Sequence, residues 1–140
     1  AALRGTEADF ERIRLAQSAI EEAGQQGSLV VESTAVTQFY LAVAEASHNV
    51  VLLHLLRAMG PMLEQNILRN NEILNRRPGV VAKIRRHRAS LIEAILSGAP
   101  ERARAACHAH LAFIEDTLLD MQREDSRIQR SMRRIRQQEN

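Results

Sequence analysis

Apolar residues in this chain recur at steps of three and four, segment after segment, and each segment ends at a turn signal. That spacing is the period of an α-helix with one buried face. Thr6 opens the first segment. TEAD is a capping-box-like start with Asp9 where Glu is usual, and Phe10, Ile13, Ala16 and Ile20 follow before Gly24 ends it. QQGS leads to a second helix over about residues 29–46, whose inner stripe draws on Leu29, Ala35 or Val36, Phe39 or Tyr40, and Val43. Asn49 suits the cap of a third helix. Its apolar set is Val51, Leu52, Leu55, Leu56, Met59, Leu63, Ile67 and Leu68, with a kink expected at Gly60-Pro61. After the breaker NRRPG, a fourth helix over about residues 80–96 turns Ile84, Leu91, Ile92 and Ile95 inward and stops at Gly98. Pro100 fits the first turn of a long fifth helix. Its seam is Leu111, Ile114, Leu118, Met121, Ile128, Met132 and Ile135, interrupted at Asp125.

β-branched runs stop at the pairs Val30-Val31, Val50-Val51 and Val80-Val81, and no hairpin signal separates them. The fold class expected is therefore all-α: an antiparallel bundle of about five to six helices. The 140 residues suit one domain, with 45% apolar residues to fill its core.

Charge excludes little. The net charge is +2, and Lys83 is the only lysine beside many arginines. That balance is too mild to argue for nucleic acid. Six arginines between Arg123 and Arg136 read as the solvated face of the last helix rather than a phosphate-binding stripe. A single cysteine, Cys107, allows no intrachain disulfide and suits a reducing, cytoplasmic setting. No apolar run approaches the length of a membrane span. The chain begins without Met, at AALRGTEADF, as if cut from something longer.

No catalytic signature is present: no GxSxG, P-loop, GxGxxG, HExxH or CxxC. An enzyme is not expected. The five histidines offer no HxxxH or DxxxH pair that would put two metal ligands on one helical face. His48 precedes the Asn49 cap as an exposed turn residue, and His54 among leucines reads as a partly buried structural residue. His87 neighbours Arg88. His108 and His110, two apart on one helix, point to different faces.

Two stretches carry a family resemblance. FYLAVAEASHNVVL resembles the segment "FH..iA.aSgNp.L" of the FCD domain, and RHRASLIEAILSGAPERARAACHAHL resembles its later segment "eHr.il.AI..gD...A......HL". The likeness runs from about Thr6 to Met121. The FCD domain is the effector-binding and dimerisation domain of FadR-subfamily GntR transcription regulators. The resemblance implies that residues 1–140 form such a domain, that one more helix precedes it with AALRGTEADF as the tail, and that DNA is bound through a winged helix-turn-helix domain absent from this chain. It also implies a cytoplasmic homodimer, with leftover apolar residues on the third and fifth helices as the interface.

Many FCD domains hold a divalent metal with an Asp and a His four apart on one helix, plus a His from each of two later helices. Those positions here are Val36, Tyr40, Arg88 and His110, and only His110 matches. His87 would replace the lost histidine only if its helix were rotated by one residue. The resemblance therefore implies a pocket that remains while the metal is gone. In it Arg88 would hold the carboxylate of a small organic acid, with Tyr40 and His110 donating hydrogen bonds. Three alternatives stand beside this: a purely structural module in which Arg88 points to solvent and Tyr40 plugs the bundle, a metal-dependent sensor built on His110 and His87, and an enzyme.

Overall fold

In the computed structural model, which describes residues 1–138 and the side chains of all but residues 78 and 135–138, five helices follow one another. They are α1 (Glu7–Gln26), α2 (Leu29–Glu45), α3 (Val50–Leu74), α4 (Pro78–Leu96) and α5 (Pro100–Gln138). No strand occurs among the described residues, so the fold is the expected all-α bundle. Short turns join successive helices. α1 packs on α2, α2 on α3 and α4 on α5, while α3 reaches across to α4 and α5 more lightly. No helix of the described chain is long and apolar enough to cross a membrane.

The Thr6 and Asn49 caps are those the sequence announces. Thr6 and Asp9 form a complete capping box at α1. Ser28 caps α2, and Asn49 caps α3 by accepting from Leu52 N at 3.1 Å. α4 begins two residues before its expected start because Pro78 takes the first turn, where its missing N–H costs nothing. α3 runs through Pro61 as one helix. Ahead of α1, Gly5 N donates to Ala1 O at 2.7 Å, closing a single helical turn.

Gly24 does not end α1, which continues to Gln26 and stops at Gly27, held left-handed at φ 73°. Gly24 instead marks a close approach from α4: a Cβ there would stand 2.8 Å from Arg85 Nη2. Gly98 is left-handed as well, at φ 65°, and closes α4 as expected.

The main core lies where α1, α2 and α4 meet. Ile13 and Phe39 are fully buried, joined by Ile20, Ala35, Val36, Leu91, Ile92 and Ile95. A second cluster, Leu74, Ile84 and Met121, ties α3 to α4 and α5. Two expected stripes are only partly used. Val51, Leu52, Leu55 and Met59 on α3 are exposed, as are Leu111, Ile128 and Met132 on α5. α3 carries apolar residues on more than one face, and this chain supplies neighbours for only one of them. Ile135 of the expected seam lies outside the described side chains. His54 is exposed rather than partly buried, because it sits on the open side of α3. In the arginine-rich region Arg123 pairs with Asp120, while Arg76 and Arg77 from the α3–α4 turn pair with Asp125 and Glu124. That end of α5 is a solvated face rather than an apolar seam.

The two α1 glycines predict opposite outcomes. Gly24→Ala meets only the movable end of Arg85 and gains helix propensity, so it should stabilise by about 0.5–1 kcal/mol. Gly27→Ala forces a left-handed alanine and should destabilise by about 1 kcal/mol. Denaturant unfolding of the two variants reads both signs.

Candidate effector site

The site is assembled by helical register. On α2, Val36 and Tyr40 are one turn apart and share a face. On α4, Ile84, Arg88, Leu91 and Ile95 follow steps of four, three and four, so Arg88 occupies an inward position of the apolar stripe. On α5, Cys107, His110 and Ile114 make the same pattern. Arg88 is 6% exposed and His110 is 0% exposed, which for an arginine is unusual enough to need explanation.

Val36, Tyr40 and Arg88 line a cavity of about 530 Å³ between α2, α3, α4 and α5. That size falls in the range of about 300–1,000 Å³ typical of small-molecule sites. His110 stands beside it, its Nε2 3.4 Å from the Tyr40 hydroxyl. Tyr40 also packs on Phe39, ring centroids 5.5 Å apart. Among the described residues no carboxylate forms an ion pair with Arg88, its Nε is buried without a hydrogen-bond partner, and so is His110 Nδ1. The cluster thus holds a permanent cation and two neutral groups. Burial raises the Tyr40 phenol above its ordinary pKa, opposed by Arg88, so it stays protonated. Burial, and then the charges of Arg88 and His87, push His110 down to about 4, leaving it neutral near pH 7. Burial also lowers Arg88, yet a guanidinium keeps its proton in proteins.

The donor set does not fit the divalent metal that many FCD domains hold. Val36 has no donor atom, Tyr40 is a neutral phenol, and Arg88 places a positive charge where a cation would sit. Only His110 is a ligand type. His87 does not join it at the cavity. Its ring stacks on Phe113 at 5.1 Å and 19°, in a separate surface recess with Lys83 and Arg86. No three His, Cys, Asp or Glu side chains converge as a metal site among the described residues.

Sequence reasoning missed the α3 wall. Asn66, Asn70 and Asn71 face the cavity, with Asn71 Nδ2 donating to Ser33 Oγ at 3.3 Å. Asn70 lies one turn after Asn66 and Asn71 one turn after Ile67, in phase with Leu63 and Leu74, and that was the available signal. It also missed a clasp below the site. His48, left-handed at φ 51°, donates from Nε2 to Asp9 Oδ2 at 2.8 Å. Asp9 is buried, and hydrogen bonds from the Thr6 backbone, the Thr6 hydroxyl, Arg12 and His48 hold its carboxyl well below the usual range. The cap of α1 is thereby tied to the α2–α3 turn.

The fold is thus a helical bundle with a ligand-sized cavity and a buried cation at its wall. The chain belongs to the FCD domain family, whose model matches residues 1–113, and that family occurs in GntR-type transcription regulators. It is 34% identical over 118 residues to the "Putative L-lactate dehydrogenase operon regulatory protein" of Escherichia coli (strain K12), covering 84% of this chain and 44% of that protein. It is 29% identical over 134 residues to the "Glc operon transcriptional activator" of the same strain, covering 94% and 53%. It is 32% identical over 120 residues to the "HTH-type transcriptional regulator LutR" of Bacillus subtilis (strain 168), covering 84% and 53%. The chain spans about half the length of the curated relatives it matches.

The depressed His110 pKa has a consequence for stability. Between pH 6.5 and about 4 the unfolded chain binds a proton at this residue that the folded chain does not. Stability should therefore rise with pH across that window and fall as acid is added. His110→Phe should flatten this part of the profile. Chemical unfolding of both proteins at several pH values tests it, and equal slopes would contradict the assignment.

Proposed function

We propose that this chain is the effector-sensing domain of a GntR-type transcription regulator, and that it binds a small organic acid in the bundle cavity without a metal ion. The observation that carries this reading is the buried Arg88 guanidinium, lining a cavity with no carboxylate at ion-pair distance among the described residues, Glu32 and Glu21 acting only from farther off. A buried cation without a counter-ion is strongly unfavourable. A ligand carboxylate accepting from the guanidinium supplies the missing charge. Tyr40 offers a hydroxyl beside it, and neutral His110 orients that hydroxyl from behind.

The relatives' names set the context. Each is a regulator, and one is named as helix-turn-helix. In this reading the DNA-binding domain lies outside the chain, the regulator works in the cytoplasm as a homodimer, and the domain catalyses nothing. The effector acts by binding one arrangement of the dimer better than the other. The exposed apolar residues Val51, Leu55 and Met59 of α3 are the proposed subunit contact.

Thermal unfolding against a panel of small carboxylic acids, in chelator and with added zinc or nickel, tests the reading. An acid at a hundred times its dissociation constant should stabilise by about 2.7 kcal/mol, in chelator as well as in metal. Arg88→Met should abolish the shift. A shift that appears only with metal would overturn the metal-free site. Sedimentation of the same preparation should give twice the chain mass, and a monomer at all concentrations would remove the dimer from the reading.

A further inference from the structure

The cavity also constrains what kind of acid it takes. Twelve of its eighteen lining residues are aliphatic, and they come from every wall. α3 gives Leu56, Leu63 and Ile67, α4 gives Ile84, and α5 gives Leu111 and Ile114. Among the described residues the only charged side chain lining it is that of Arg88. Hydrogen-bonding side chains are confined to Tyr40 and Ser47 on and just after α2, and to three asparagines on α3, of which Asn71 is already engaged with Ser33.

Three classes of acid meet this surface differently. A dicarboxylate would bring a second negative charge with no second cationic side chain to receive it, and burying an unpaired charge is costly. A polyhydroxylated acid would set hydroxyls against the aliphatic walls of α4 and α5, where they would lose water and find no partner. A monocarboxylate with a hydrocarbon body matches both features. Its single charge meets Arg88, and its chain replaces water against the leucines and isoleucines. Such burial is worth about fourfold in affinity per methylene, the equivalent of about 0.8 kcal/mol.

Resting on the metal-free carboxylate reading above, we infer that the cavity selects a monocarboxylate with a hydrocarbon tail, with Arg88 as the head-group anchor and the α3, α4 and α5 aliphatic side chains as the tail site. Asn66 and Asn70 offer amides to a polar substituent along the tail.

The test is calorimetric titration of the chain, in chelator, with butyrate, hexanoate and octanoate below their micelle-forming concentrations. Lactate, malate and gluconate serve as polar acids, and octanol as the uncharged tail. Affinity should rise about fourfold for each added methylene until the cavity is filled. Octanoate should bind more tightly than each polar acid and than octanol. In Arg88→Met, octanoate and octanol should bind alike, while Arg88→Lys should recover part of the preference for the acid. Circular dichroism checks that the variants fold, and the octanoate–octanol comparison on the native chain stands without them. Tight lactate or gluconate binding with weak octanoate binding would overturn this inference and leave the carboxylate sensor intact. Equal binding of octanoate and octanol to the native chain would show adventitious adsorption to apolar surface and overturn it too. Binding of none of these acids would overturn both readings.

Discussion

A guanidinium without a counter-ion, held inside a helical bundle, is the constraint around which this domain is arranged. Removing an ion from water costs on the order of several kcal/mol even after the protein relaxes. Arg88 bears that cost at an inward position of α4, flanked in register by Ile84, Leu91 and Ile95. The apolar packing on either side keeps it there. Phe39 and Ile13 are completely buried, and each contributes roughly 1.5–3 kcal/mol relative to exposure. The bundle core thus stabilises an unfavourable charge that faces open space, an arrangement that suits binding better than it suits folding.

The remaining polar features follow from that charge. A cation at Arg88 lowers the proton affinity of His110 and opposes the upward shift that burial imposes on Tyr40. Both neighbours are neutral near pH 7, so neither competes with an anion for the guanidinium. It also explains why a metal does not belong here. The position that would complete a histidine set carries a fixed positive charge, and the position four residues before Tyr40 is Val36, with no lone pair to give. The Asp9–His48 contact secures α1 against the α2–α3 turn.

Much of this was legible in the sequence. The five helices, the Thr6 and Asn49 caps, Pro100 and Gly98 all follow from local rules, and the structure places them as expected. Gly24 misled because a glycine near the end of a periodic segment resembles a stop signal. Its role depends on Arg85, sixty-one positions later, which local reading does not see. The open apolar face of α3 was equally hidden, since periodicity marks residues as apolar but does not say which chain covers them. Arg88, Tyr40 and Val36 were found through family positions, yet the α4 register alone already places Arg88 between inward isoleucines and leucines. The asparagines of α3 escaped because amides read as ordinary helix surface until the cavity beside them is seen.

The central claim is that Arg88 itself receives the ligand's charge. The most direct measurement is nitrogen-edited NMR of the Arg88 Nε–H while hexanoate is titrated into the chain in the presence of chelator. Nε is buried and has no hydrogen-bond partner in the free domain. The account predicts that its proton resonance moves downfield and saturates together with binding, as a charge-assisted hydrogen bond forms. A resonance that stays in place while hexanoate binds elsewhere on the chain would contradict it.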